Sequence, residues 1–400
     1  MADPVPLLII GAGPYGLAMS AYANHHGIAH VVAGRPMDFW ASQMPRQLYL
    51  RSGCDWHLDP FDEDTIEGYL EARNLTPAAA VPLSRDVYLD YCEWFRRRKD
   101  IRVVPKFVRE LTSSGGPAPV FQAVFDGGDT LAARSVVLAL GFGYFTHVPD
   151  GYASLFPAGR LRHTCDEVDF SALRGRRVLI IGGRQSAFEW AAGIREHGAE
   201  AVFLSYRHPT PAFAPSDWSW VNPLVEAIAA NPGWYQRLAP EEKERVARRL
   251  WAEGRLKLEP WLAPRIDGET VRLFPGSQVV GCRELPGGDL DVTLDTGAAL
   301  RADRVILATG YKVDIARVPF LARGNLLRQL HARDGFPALD AYFQSSVPGL
   351  YFTSLCATQD GGPFFAFTVG ARASAVVIGS ALRGAAARTG SAARVSEPVA

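Results

Sequence analysis

Apolar runs of β type alternate along the chain with stretches whose apolar residues recur at helical spacing. This alternation predicts parallel sheets covered by helices. The first unit reads as a strand over Leu7–Ile10, a glycine turn, a helix to about His26 stopped by Gly27, and a strand over Ile28–Ala33. Residues 86–98, DVYLDYCEWFRRR, read as an amphipathic helix with Val87, Tyr91, Trp94 and Phe95 on one face. Short strands broken by Gly and Pro fill Arg102 to Leu131, before SVVLALGFG. From Gly175 the stretch GRRVLIIGGRQSAFEWAAGIREHGAEAVFLSYRH repeats the opening order: strand, glycine turn, helix, glycine stop, strand. A Trp-rich, charged helical insert follows between Trp218 and Trp261. Strands return from about Gln278 and end in DRVILATGYKVD, and residues 348–382 read as strand, loop and helix.

The pattern places the chain in the α/β class, with two Rossmann-like units, the second inserted in the first, and a helical insert. Residues 1–150 and 310–385 are expected to form the first unit and 151–309 the second. Residues 217–262 are the insert, and 386–400 a flexible tail of small residues. Four hundred residues, 48% of them hydrophobic, suffice for two such cores. Lys plus Arg and Asp plus Glu balance at 42 each, so no basic face for nucleic acid or an anionic membrane is expected. No apolar run approaches the roughly 20 residues that cross a bilayer. The start MADPVP lacks a basic, then apolar, leader, so the expected location is cytoplasmic. The five cysteines (54, 92, 165, 282 and 356) form no C-x-x-C and no His-rich cluster, which argues against a disulfide framework, zinc or a dithiol centre.

GAGPYG places Gly11, Gly13 and Gly16 in the G-x-G-x-x-G pattern, between an apolar strand and a helix with Pro14 in its first turn. In such a loop the first glycine makes the turn, the second admits a pyrophosphate, and the third lets helix and strand pack closely. The helix N-terminus supplies N–H groups and a positive dipole end. The acid expected about 20 residues on, to hold ribose hydroxyls, is replaced by Gly34 and Arg35. The second loop, IIGGRQSAFE, carries Gly182, Arg184 and Ala187 at the three positions, and its next strand ends at Arg207 and His208. Cations there suit the 2′-phosphate of NADP, and an arginine at the middle position is able to pair with a phosphate. A merely structural Rossmann unit is the alternative reading, as a solvated surface position is for Arg207.

Two dinucleotide units in one chain resemble the two-dinucleotide-binding-domain flavoproteins. Within them the chain resembles the class B flavin monooxygenases, which include the flavin-containing monooxygenases and the lysine/ornithine N-hydroxylases. LATGY (Leu307–Tyr311) and GGRQSAFE carry the likeness, while FPAGRLRHTCDE keeps only Gly159 and His163 of that family's signature. GRPMDFWASQMPRQLYLRS, PSDWSWV and LEPWL look most like the bacterial subgroup labelled FAD-dependent urate hydroxylases.

The resemblance implies FAD on Gly11, Gly13, Pro14 and Gly16, with Arg35 nearby. It puts Trp40, Gln43, Arg51 and Ser52 on the isoalloxazine side, Val108 at the adenine, Gly141 by the phosphates, and Asp360 and Gly362 at the ribityl chain and flavin. It implies NADPH on Gly182, Arg184, Gln185, Ser186, Arg207, His208 and Tyr311. The implied reaction is activation of O2 as a flavin C4a-(hydro)peroxide and oxygenation of a small molecule, at a nitrogen or another soft nucleophilic atom. Hydroxylation of an electron-rich heterocycle such as urate, or a flavin oxidase or reductase without oxygen insertion, is the alternative. The cofactors carry that chemistry and no metal is required. His163 and Arg51 are the two side chains with a candidate catalytic role, beside structural readings for both. The insert tryptophans read as pocket wall or as core. The expected partners are a small-molecule substrate and O2, with a homodimer as the expected assembly.

Overall fold

The computed structural model describes residues 3–395, with side chains described as far as Ala385. The first sheet contains β1 (Val5–Ile10), β2 (His30–Ala33), β3 (Val103–Val104), β4 (Val108–Ser113), β5 (Phe121–Phe125) and β6 (Thr130–Leu138). The chain then crosses to a second sheet holding β7 (Leu161–His163), β8 (Arg177–Ile181) and β9 (Ala201–Tyr206). The short pair β10 (Ala212–Phe213) and β11 (Lys257–Leu258) closes the neck of the insert, in parallel. β12 (Val271–Pro275) joins the second sheet, and β13 (Val279–Glu284), β14 (Leu290–Leu294) and β15 (Ala299–Ala302) form an antiparallel meander before β16 (Arg304–Leu307). After a return crossing come the hairpin β17 (Ala332–Arg333) and β18 (Phe336–Pro337), and then β19 (Leu350–Phe352).

The parallel strands run β3-β2-β1-β6 in the first sheet. β19 lies beside the end of β6, and β5 lies beside its start. The second sheet runs β12-β9-β8-β16-β7, all parallel. The two units therefore share one plan, and both put the turn after their first strand at the carboxyl edge, where strand order reverses. That edge is where open α/β sheets bind ligands. The fully buried strands read Leu7-Leu8-Ile9 and Val178-Leu179-Ile180, near-continuous apolar runs as expected of strands covered on both faces.

Helix Arg85–Arg98 is capped by Ser84 Oγ accepting from Val87 N at 3.3 Å. Its buried face is Tyr88, Tyr91, Cys92 and Phe95. Val87 and Trp94, expected on that face, flank it half-buried. The last helix, Gly370–Val395, packs along the first, Pro14–His25, with Gly379 against the Tyr22 ring. It carries the chain past residue 385, so 386–395, expected as part of a tail, continues a helix. Residues 396–400 lie outside the described residues.

The insert packs on both units. Its first helix, Val221–Ala230, buries Val221, Val225 and Ile228 in the core of the first unit and packs on the last helix. Leu258 and Leu262, at its far end, belong to the core of the second unit. An insert threaded into the second unit thus rests its apolar face on the first. Only the fold shows what covers that face.

A Cβ at Gly379 would overlap the Tyr22 ring. Gly379→Val is expected to destabilise by about 1–3 kcal/mol through overpacking. Calorimetry will read this as a lower unfolding midpoint with cofactor-loop mutants as reference, and an unchanged midpoint refutes this packing.

Candidate active site between two glycine loops

The two glycine loops are built by the same backbone bonds. Gly11 N donates to Ala33 O at 2.8 Å and Gly182 N to Ser205 O at 3.0 Å. Ala139 N donates to Ile10 O and Ala308 N to Ile181 O, both at 2.8 Å. Thr353 N reaches Leu138 O at 3.1 Å, and Thr164 N reaches Leu307 O at 3.0 Å. Gly11 (φ +111°) and Gly182 (φ +141°) both take conformations that L side chains avoid, and a Cβ on either would press on a carbonyl, of Ala139 or Ala308. A Cβ on Gly16 would overlap Gly11 O, so the helix is pressed onto its own loop. At Gly13 a Cβ would meet nothing within 4 Å. The first loop therefore assigns its three glycines to turn, open approach and close packing, the arrangement a dinucleotide pyrophosphate requires. Thr353 Oγ1, buried at the same strand edge, has no hydrogen-bond partner among the described residues. The cradle fits a dinucleotide.

Around it, Tyr15 OH donates toward Phe365 O (2.8 Å) and Phe367 O (2.6 Å), tying the segment after Gly362 to the first loop. Gly362 (φ +117°) packs under the Tyr235 ring of the insert. The Gln43 amide makes no hydrogen bond among the described residues and lies beside Gly143 and Phe39. Gly141 (φ +61°) has open space at its Cα. Arg35 is exposed over the Phe107 ring at 5.2 Å, next to buried Val108. Ser52 is buried.

Three expected flavin contacts also have side-chain partners within the protein. Arg51 donates from Nε to Glu259 Oε1 (2.9 Å), from Nη1 to Gly254 O (2.9 Å), and from Nη2 to Ser216 Oγ (2.5 Å) and Glu253 O (3.0 Å). It clamps the first unit to the neck of the insert, with most of its donors engaged there. Asp360 accepts from Arg333 Nη2 (2.6 Å) and Leu339 N (2.9 Å), so its carboxylate anchors the β17–β18 hairpin. Trp40 stacks on Tyr88 at 4.9 Å, toward the core.

The crossings between units run side by side. His147 N donates to Gly310 O (2.9 Å), Lys312 N to Phe145 O (2.7 Å), and Thr309 Oγ1 to His147 O. LATGY is thus one strand of an interdomain strap. His163 serves it: Nε2 donates to Gly310 O at 3.0 Å, which leaves Nδ1 as the acceptor facing Cys165. Burial lowers the pKa of His163, and its ring holds the strap at Gly310. Tyr311 stacks near Phe142 (4.9 Å) and Phe39 (6.2 Å), an aromatic lining where the chain leaves one sheet for the other.

On the second loop, Gln185 Oε1 accepts from Glu259 N (3.1 Å), and Gln185 Nε2 donates to Glu189 Oε1 (2.8 Å). Gln185 is buried and Ser186 exposed. Arg207 is exposed and makes no hydrogen bond or ion pair among the described residues, and half-buried His208 stacks near Tyr206 (5.2 Å). Glu189 escaped sequence reasoning, because a helical Glu gives no sign of burial. Its Oε2 is buried with no hydrogen-bond partner among the described residues, and burial pushes its pKa up to about 8. The insert tryptophans divide. Trp218 packs on Trp56 (5.8 Å) and Phe367 (5.9 Å), Trp220 on Phe364 (5.8 Å), and Trp261 on Tyr49 (5.1 Å), while Trp251 stands exposed. Asp59, Glu63 and Asp64 converge elsewhere, with Lys99 Nζ between them at 2.8, 2.7 and 3.0 Å.

This pairing of twin cradles across a strap defines a two-dinucleotide oxidoreductase. A protein-family model described as pyridine nucleotide-disulphide oxidoreductase matches residues 8–232, more than half of the chain, and the chain belongs to that family. It is similar to the indole-3-pyruvate monooxygenase YUCCA6 of Arabidopsis thaliana, at 25% identity over 369 residues, 82% of this chain and 80% of that protein. It is 34% identical over 156 residues to an FAD-dependent urate hydroxylase of Xanthomonas campestris, a match spanning 38% of this chain and 32% of that protein. Its fold is that of the ornithine N-hydroxylase of Kutzneria sp. 744, with a TM-score of 0.77 at 15% identity over 95% of this chain and 99% of that one. No helix among the described residues is long and apolar enough to cross a membrane.

An acid whose folded pKa lies above its unfolded value near 4.5 keeps a proton that the unfolded chain has lost. The wild type should therefore lose stability as pH rises from 4.5 to about 8, and level off above that. Glu189→Gln removes the titration. Its melting midpoint should pull ahead of the wild type across that window, whereas a gap independent of pH would show Glu189 ionised.

Proposed function

We propose that this chain is an FAD- and NADPH-dependent monooxygenase acting on a small molecule, with a nucleophilic nitrogen as the atom oxygenated. The observation that carries the reading is the pair of glycine loops with matching backbone bonds, joined by an aromatic-lined strap. When bound, FAD and NADPH supply hydride transfer and the activation of O2. Gly11, Gly13, Gly16 and the N-terminus of helix Pro14–His25 hold the flavin pyrophosphate, and Gln43 offers its unpaired amide nearby. The second loop and Arg207 receive the nicotinamide coenzyme. Phe39, Phe142 and Tyr311 exclude water where the two guests meet.

Disulfide reduction, the chemistry in the family's description, finds no support in this chain. All five thiols are held above the ordinary cysteine pKa, each chiefly by burial, with Cys165 pushed up to about 12. No two stand in a C-x-x-C. Nitrogen as acceptor is supported by the fold shared with an ornithine N-hydroxylase. A second reading, hydroxylation of an electron-rich heterocycle, is favoured by the urate hydroxylase match and by the cluster of Trp56, Trp218 and Phe367.

Purified protein should be yellow, and with NADPH and labelled O2 it should place label in a product. Amines and amino acids are tested against purines and indoles. A colourless protein that takes up no FAD, or NADPH consumption that yields only hydrogen peroxide across both panels, would overturn the proposal. Arg207→Ala should raise the KM for NADPH and narrow its advantage over NADH. An unaltered coenzyme preference removes Arg207 from the site.

A further inference from the structure

The second loop differs from its twin at one telling position. Where Gly13 leaves open space, Arg184 stands at the cap of the 12-residue helix Gln185–Glu196. Its backbone is extended (φ −110°), a conformation any residue adopts, so the substitution adds no strain. The side chain lies half-buried across to the insert. Nη1 donates to the carbonyl of Arg255, the last residue of helix Pro240–Arg255, and the guanidinium stacks over the exposed Trp251 ring at 5.1 Å. Among the described residues no carboxylate forms an ion pair with Arg184, Arg255 or Arg207, while neighbouring Arg51 has Glu259. Burial and the nearby Arg255 both disfavour the charge on Arg184. A half-buried cation without an acid is a poor arrangement in itself, and a phosphate is the partner a guanidinium fits best.

We propose that Arg184 is the pyrophosphate ligand of the second loop, and that Trp251 and the Arg255 carbonyl are the seat it leaves when a dinucleotide enters. The proposal rests on the reading of this loop as the NADPH site. The arginine makes through its side chain the phosphate contact that a glycine loop leaves to its backbone. Because the seat belongs to the insert, coenzyme binding is reported directly to the helix Pro240–Arg255.

The experiment is a titration of the oxidised, FAD-loaded protein with NADP+ and no substrate, followed by calorimetry and by tryptophan emission. Of nine tryptophans, Trp251 should carry the emission change, so Trp251→Phe should abolish it while still binding. Arg184→Gly, which gives the loop the glycine of the ordinary fingerprint, should weaken NADP+ at least tenfold. It should leave adenosine 2′-phosphate, which lacks the pyrophosphate, unaffected. An Arg184→Gly protein that binds NADP+ as well as or better than the wild type makes Arg184 an obstacle and overturns the proposal. An emission change that survives in Trp251→Phe overturns the seat. Wild-type protein that binds no NADP+ overturns the coenzyme reading itself, a result distinct from either.

Discussion

Everything in this molecule hangs on a backbone constraint met twice: a parallel sheet continued one rung past its last side chain by a glycine amide. At Gly11 and Gly182 the chain must turn into a helix while its N–H still bonds the neighbouring strand and its Cα lies against the carbonyl of a third. Only a residue without Cβ at positive φ satisfies both demands. The following helix is thereby aimed with its N–H groups at the sheet edge, and a phosphate site results from geometry that the fold needs in any case.

A second constraint decides how the sites face one another. Two crossings, 145–147 and 309–312, pair as a strap, and His163 hydrogen-bonds it at Gly310. Arg51 makes a separate connection from the first unit to the insert neck, through Glu259 and three insert carbonyls. Burial of the apolar face of Val221–Ala230 in the first core adds a third. Arg51 and His163 thus tie the two units together, which suits a reaction whose catalysts are borrowed and must be oriented.

The uncompensated charges have the opposite character. Arg35, Arg207 and Arg184 have no carboxylate partner among the described residues, whereas Arg177 pairs with Asp303 and Asp289 and Arg265 with Glu196. Arg184 instead rests on an aromatic ring and a helix-end carbonyl.

The amino-acid sequence by itself determined the two Rossmann units, their glycine loops and the inserted order, because these depend on local matters: apolar runs, glycine spacing and helix stops. It also marked Gly11, Gly13, Gly16 and Gly182, whose roles follow from the backbone alone. Only the tertiary structure decided which polar side chains remain unengaged. Arg51, Asp360 and His163 are drawn off by partners distant in the chain, at positions 259, 333 and 310. Glu189 becomes a buried acid, and Arg184 a cation stacked on Trp251, only once the insert folds across. A residue's type states which bonds it is able to make, but the partner it meets first is fixed by long-range packing, and no local pattern records that.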